Sequence, residues 1–581
     1  MEVNKKTPDY SAYNHKFECY CYAPPNDGKW IDEGGVVRYS GQDFRTVERY
    51  KEYKDCGFDI LLMQTAGKFD GTEAWEESNA KKVMDKAWEA GIQKIIMTDI
   101  RLQHLSEGIV YFDENGKPYP DGKTSINYSD ANRNGIKMEI DLVCERLICA
   151  DGPFQTEAQL DEYVAYCMSP YKDYHGFYGV QLKDEPNFKL VTFYGETYRS
   201  IKRVCPTAFI QYNLNQVYTD SYYYYGYPGW EGSERLYLDK NFPGWRDDSL
   251  DLSDETILSE MRVQKLAENP NVTEEELTFS PFQKERYVCE KLKKEILAAK
   301  AVNEYRVVKE GFKRYGNYVG AYIDHTGADY CLFDTYPLKG GSFVREQFIH
   351  NMQTFARVCV ERGARPEFVT QTESEVHVPN GALTMRKINE KAARWLNNMI
   401  LGFGAKRIVY YTYFNKGWSD RTLYPDGTSF ITHLGERTEL YYFMKKIIAE
   451  NQKFAPVILN FDYKTSNVYA CSVNTFPKWH TRFKDDFDGF TCVDKVLLSN
   501  ECAIVTELYD KSNTRYMYMA QNIVDPDFGG ERAHEKLTLV FKEGFTKAAV
   551  FVNGERTDVE LDEGKYVMEL DPGDAVFVIP Y

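Results

Sequence analysis

Histidine is scarce, nine residues in a chain of 581, and forms no His-x-His and no His-Glu-x-x-His. The clustered imidazoles of a metal-dependent hydrolase are therefore missing, and the sequence implies no metal. There is no Gly-x-Ser-x-Gly elbow, which argues against a Ser–His–Asp hydrolase. There is no Gly-rich phosphate loop either. The stretch GFGAKR at 402–407 does not match a dinucleotide fingerprint, so no cofactor is implied. No apolar run of about 20 residues exists to cross a membrane. The start, Met1 to Tyr13, is polar and lacks the apolar core of a signal peptide. That points to the cytoplasm, although a secreted chain whose signal had been removed would read the same. The 13 cysteines are odd in number and without repeated spacing. Cys19/Cys21 and Cys144/Cys149 are the closest pairs, and neither has a second half to complete a zinc site. Free thiols in a reducing compartment fit best. Positive charge is also short: 71 Lys and Arg against 88 Asp and Glu, a net charge of −17. That balance lacks the footprint nucleic acid or an anionic membrane requires.

Aromatics are plentiful at 15%, with 45 Tyr. Tyr and Trp offer an apolar face beside a polar tip, which suits both ordinary cores and the C–H faces of sugars. One local pattern recurs along the chain. An amphipathic stretch ends at Gly and a short apolar run follows, as at Gly57, Gly91, Gly363 and Gly404. Gly accepts the left-handed cap of a helix without a Cβ penalty. Helix, Gly and buried strand in repetition indicate βα units around a parallel sheet.

Eight strands are expected: Phe17–Pro24, Phe58–Gln64, Lys94–Ile100, Phe177–Glu185, Phe209–Asn215, Tyr330–Tyr336, Glu367–Glu373 and Ile408–Phe414. Helical faces precede two of them, Val288/Leu292/Ile296/Ala299 before strand 6 and Ile388/Ala392/Trp395/Met399 before strand 8. The fold class is α/β, a (β/α)8 TIM barrel over 1–451, with insertions at 101–150 and 216–284. The first insertion holds a turn-rich DENGKPYPDGK, read as a hairpin. The second holds the aromatic run SYYYYGYPGW. Long loops after strand ends build barrel sites, or offer surface to a second copy in a homo-oligomer. From 452 to 581 the pattern alternates apolar and polar, with Asn-Gly, Glu-Gly and Pro-Gly turns, as in an antiparallel β-sandwich domain.

Chemistry gathers at two strand ends. Strand 4 reads FYGVQLKDEPNF, and Pro186 stops it because Pro cannot donate a ladder hydrogen bond. Glu185 is then its last residue, on the same side as Gln181 and Lys183 by strand alternation. Strand 7 ends with Val369, Gln371 and Glu373 on one side. Glu375 shares that parity but falls past the strand, and is the weaker candidate.

The DEP of strand 4, and the Asp-x-Tyr-Pro of strand 6 in YCLFDTYPL, resemble a clan of (β/α)8 retaining glycosidases, on its β-galactosidase-like branch. The closing LDPGDAVFVIPY also resembles the sandwich of such enzymes. The resemblance implies an acid/base at Glu185 and a nucleophile at Glu373. It implies a glycoside hydrolase acting on a carbohydrate substrate, β-linked and exo-acting, by retaining double displacement. Such a pair stands about 5–5.5 Å apart, and each carboxylate raises its neighbour's pKa. By position the resemblance assigns substrate binding to Asp184, Asp334, Tyr336, Gln371, Tyr411 and Tyr413, and to Asn213 and Asn215, of which one should face the pocket. Trp418 follows as a further aromatic. Tyr336 stands where a Tyr contacts the nucleophile. The clan has Asn where this chain has Asp184. The alternative is an inactive sugar-binding or scaffolding protein on the same fold.

Overall fold

The structure, a computed structural model, describes residues 3–31, 36–128, 146–215, 253–270, 304–339, 348–377, 382–414, 429–470, 487–527 and 533–581, with Cys144, 343–344, 421–423 and some positions between 272 and 291. The eight strands form at Glu18–Cys21, Ile60–Leu62, Lys94–Met97, Phe177–Asp184, Phe209–Leu214, Tyr330–Asp334, Arg365–Gln371 and Arg407–Tyr411, and keep the names strand 1 to strand 8. All pair in parallel, each beside its neighbour in sequence, with strand 8 returning to strand 1. The Asp59 N–H donates to the Cys19 carbonyl at 3.0 Å, which ties strand 2 to strand 1 and closes the ring.

Helices cover the outside. Those between or after the strands include Asn79–Glu89, Glu157–Met168, Val191–Val204, Glu304–Thr326, Phe348–Glu361, Glu390–Gly402 and Glu439–Ile458. Their ends follow the local chemistry. Ser78 accepts the Lys81 N–H at the start of Asn79–Glu89, and that helix stops at Gly91, whose φ is +86°. Ala392, Trp395 and Met399 bury one face of Glu390–Gly402, with Ile388 buried just before it. The face at Val288, Leu292, Ile296 and Ala299 lies outside the described residues, as do Trp418 and 216–252 of the second insertion. The first insertion does contain the hairpin, Ile109–Phe112 against Thr124–Asn127.

Every second residue of the strands points into the barrel. Tyr20, Ile60, Leu62, Ile96, Phe209, Leu332, Val369 and Val409 fill the middle. The N-terminal end is plugged by Arg407, the first residue of strand 8. Its guanidinium pairs with Glu18 and with Glu367, donates to the Tyr178 hydroxyl at 3.1 Å, and lies 4.4 Å from the Phe209 ring centroid. Burial raises the Glu367 carboxyl to about 7 although Arg407 pulls it down.

The C-terminal part is a sandwich of a six-stranded and a three-stranded antiparallel sheet. Alternation sorts the large sheet's side chains. Ala503, Val505, Tyr518, Ala520, Val550 and Val578 face Leu537, Leu539 and Phe541 of the small sheet. Their neighbours Ile504, Met517, Met519, Phe551, Phe577 and Ile579 join the barrel's own core. The Phe454 ring lies 5.0 Å from Phe551 and 5.1 Å from Phe577. The last barrel helix runs to Ile458 and the first sandwich strand starts at Asp462, so position 452 falls inside that helix.

Arg407→Ala leaves Glu367 buried without its own cation, while Glu18 keeps Lys94. It should destabilise the fold by about 3–5 kcal/mol, read as a lower urea midpoint. The double variant Glu367→Gln/Arg407→Met should lose less, because it leaves neither charge of that pair buried alone.

Candidate active site

The C-terminal ends of the strands collect carboxyl, amide and phenol groups. Strand 4 does not reach this end in simple alternation. Gln181 pairs with Gln211 of strand 5 and Asp184 pairs with Asn213, so three residues on strand 4 advance against two on strand 5. Such a bulge re-aims the side chains after it. Gln181 faces inward and bonds Thr98 at 3.0 Å. The expectation that Lys183 follows it on the same side is corrected: Lys183 pairs with Glu107 at 3.1 Å, and Asp184 turns inward instead. Glu185 is the first residue past the strand, at φ +47°, where non-Gly residues are uncommon. Its N–H donates to the Asn213 carbonyl at 2.8 Å, so the ladder to strand 5 holds one residue beyond the strand.

Asp184 accepts from the Tyr22 hydroxyl at 3.2 Å, and the Gln211 amide donates to the same hydroxyl at 3.0 Å. Asp334, at the end of strand 6, accepts from Asn213 Nδ2 at 3.0 Å and from the Tyr336 hydroxyl at 3.3 Å. Burial and the neighbouring Asp184 raise the Asp334 carboxyl to about 7, against hydrogen bonds from Glu185, Asn213 and Tyr336 that lower it. Burial also raises Asp184, opposed by its bonds to Asn213 and Tyr22. Asp184, Glu185 and Asp334 thus form one connected carboxyl group of strands 4 and 6, and Asn213 of strand 5 touches all three, Asp184 and Asp334 through its side chain and Glu185 through its carbonyl.

Glu373 is 1% exposed and lies two residues past strand 7. The Thr412 hydroxyl donates to its Oε2 and lies 3.1 Å from the Ser429 hydroxyl. The Thr372 N–H donates to the Tyr411 carbonyl at 2.8 Å, carrying the strand 7–strand 8 register up to Glu373. The Tyr411 ring lies 5.0 Å from Tyr336 and 5.9 Å from Tyr22, so aromatic contacts link the ends of strands 6, 8 and 1.

Four expected site residues sit elsewhere or do something different. Tyr413 is buried among Tyr53, Phe58 and Phe430, with ring centroids at 4.9, 5.7 and 5.6 Å, outside the barrel. Strand 8 ends at Tyr411, so parity no longer carries Tyr413 inward. Both ends of the Gln371 amide are bonded to the Leu338 backbone at 3.1 and 3.0 Å, so this residue pins the strand 6 loop. Tyr336 directs its hydroxyl to Asp334, the strand-6 acid, where contact with the nucleophile position was expected. Asn213 and Asn215 share one parity, so the choice between them was never an alternation. Asn213 joins the carboxyl group, and Asn215 lies past the strand's end with its N–H directed at the Tyr318 hydroxyl at 3.4 Å. Sequence reading missed Tyr22 and Thr412. Tyr22 was findable, being at the end of an expected strand with Tyr20 on the same side. Thr412 carried no signal. Among the described residues, no group of three or more His, Cys, Asp or Glu is arranged to hold a metal ion.

No known family model and no curated protein matches the sequence. Among solved structures, the chain is similar to a family 39 glycoside hydrolase from Bacteroides cellulosilyticus WH2, at 9% identity over 98% of this chain and 81% of that one, TM-score 0.39. It is similar to a family 5 glycoside hydrolase from Bacteroides vulgatus ATCC 8482, at 9% identity over 97% and 94%, TM-score 0.40. It is also similar to an alpha-amylase from Geobacillus thermoleovorans, at 11% identity over 98% and 99%, TM-score 0.41. These likenesses are low. What the strand order and register define is a (β/α)8 barrel with a C-terminal antiparallel β-sandwich, and carboxyls gathered at the strands' C-terminal ends.

Asp334 keeps its proton further up the pH scale when folded, about 7 against 3.8. Its contribution is therefore full below the lower value and is lost as pH rises through the higher one. Asp334→Asn mimics the protonated form. Its melting temperature relative to wild type should rise between pH 4 and pH 8, and a constant difference would reject the assignment.

Proposed function

We propose that this protein is a glycoside hydrolase that cleaves β-linked glycosides from a chain end by a retaining double displacement, as in the β-galactosidase-like branch. The observation that carries the reading is the pair of carboxyls just past strands 4 and 7, Glu185 and Glu373. Barrel enzymes build their sites at this end of the strands. In the reaction, Glu185 protonates the leaving oxygen while Glu373 attacks the anomeric carbon. Glu185 then takes a proton from water, which attacks the same carbon and frees Glu373.

Three features support the roles. The hydrogen bond between Glu185 and Asp334 gives the acid a partner for its proton. The Thr412 hydroxyl donates to Glu373, which favours the ionised form a nucleophile needs. Tyr22, Tyr336 and Tyr411 form an aromatic cluster beside the carboxyls, suited to the C–H face of a sugar ring. Asp184 stands where the clan has Asn. An ionised Asp only accepts hydrogen bonds from sugar hydroxyls, and in the protonated form that burial favours it can also donate one.

Aryl β-glycosides assayed against the wild-type chain should be hydrolysed, with the first-formed sugar in the β configuration by NMR. Glu185→Gln should lower kcat by about 10²–10⁴-fold, and Glu373→Gln should abolish turnover. Binding without turnover in the wild type would make the chain a sugar-binding protein. An active Glu373→Gln would move the nucleophile to another residue, with Glu375 the next to test.

A further inference from the structure

Glu373 lies just beyond the end of strand 7, after the last ladder bond, from the Thr372 N–H to the Tyr411 carbonyl, and its carboxylate keeps the Thr412 hydroxyl. A small antiparallel sheet over the barrel mouth takes over. Glu375–His377 pairs with Ala382–Met385 on one side and with Arg421–Leu423 on the other. Met385 pairs in turn with Lys339 of the strand 6 loop. The Gln371 amide closes on the Leu338 backbone, and the Arg386 N–H donates to the same Leu338 carbonyl at 3.3 Å. The residues two before and two after Glu373 are therefore both tied to the segment that ends in Arg386.

Arg386 then leaves the barrel. Its Nη1 donates to Asp525 Oδ2 at 2.8 Å and its Nη2 to Asp525 Oδ1 at 2.5 Å, a two-pronged pair. Its Nε lies 3.3 Å from Asp527 Oδ2. Asp525 follows the sandwich strand Arg515–Asn522, and its Oδ1 also accepts the Asp527 N–H at 3.0 Å. Arg386 is 5% exposed and Asp525 is fully buried. A bidentate guanidinium–carboxylate pair fixes direction as well as distance. Buried pairs of this kind add little net stability against apolar replacements, and setting a unique geometry is a better reason for one. Here the geometry set is that of the mouth sheet.

We propose that Asp525 is a positioning residue for Glu373: through Arg386 the sandwich domain holds the mouth sheet that fixes the Glu373 carboxylate. The proposal rests on the role given to Glu373 above. It makes the C-terminal domain part of the working site, with no contact of its own to substrate.

The test uses the full-length chain with Asp525→Asn, which keeps shape and loses charge, and Asp525→Glu, which restores the charge. Backbone amide exchange is followed at Leu338, Arg386 and 375–377, and kcat and KM are measured on an aryl glycoside that the wild type hydrolyses. Asp525→Asn should speed exchange at these amides and lower kcat by about 10- to 100-fold with KM little changed, because a small misplacement of a reacting group is costly. Asp525→Glu should recover part of the loss. Unchanged exchange overturns the proposal, and so does faster exchange with undiminished kcat, since the pair then only joins two domains. If Asp525→Asn does not fold, Arg386→Lys is read in the same way, because it keeps the charge and loses the fork. A wild type without glycosidase turnover would defeat the functional reading alone. In that case faster exchange at the mouth still supports the hold of Asp525 on the sheet, and unchanged exchange still overturns it.

Discussion

A closed ring of eight parallel strands aims its inward side chains at one another. At the N-terminal end that constraint is met by charge compensation, with Arg407 between Glu18 and Glu367 and aromatic rings packed on its guanidinium. Through the middle it is met by apolar side chains. At the C-terminal end neither solution is used. Asp184, Glu185 and Asp334 crowd together with amides and phenols, and burial holds Asp184 and Asp334 towards their protonated forms. A carboxyl cluster of that kind costs stability, and barrel enzymes place their chemistry at this end.

The bulge in strand 4 decides what faces inward there. Without it, Lys183 would sit in the barrel and Asp184 outside. With it, Lys183 meets Glu107, Asp184 reaches Tyr22, and Glu185 takes a left-handed backbone that turns it off the strand. On the far side of the mouth, Glu373 takes a hydrogen bond from Thr412 at the end of strand 8, and the backbone after it joins elements that are not part of the barrel. The mouth sheet and the sandwich behind it supply backbone pairing and the Arg386–Asp525 contact. The two candidate carboxyls are thus held by different means, one by a local irregularity and the other by Thr412 together with the mouth sheet that the sandwich backs.

Much of the fold was legible because it is local. Helix ends at Gly91 and Gly363 need a left-handed residue, and the apolar runs after them have no place but a buried sheet. The sandwich was legible from strict alternation, which the two faces of its large sheet use in full. Residues such as Asp334 and Tyr411 could be assigned to the mouth because each ends or follows a regular strand. Lys183 was placed by extending alternation through a bulge, where it no longer holds. Tyr413 was assigned from the resemblance on a strand 8 that in fact ends at Tyr411.

The sequence by itself determined the α/β alternation, the strand count, the change to antiparallel sheet, and that acids stand at the ends of strands 4 and 7. These follow from periodicity, Gly caps and Pro186, which act over a few residues. Only the tertiary structure decided that the strand 4 acids meet Asp334 of strand 6, that Gln371 pins a loop, that Thr412 serves Glu373, and that the sandwich reaches the mouth through Arg386. Those contacts join residues far apart in the chain, and their partners are chosen by barrel closure and domain packing, which no local pattern records.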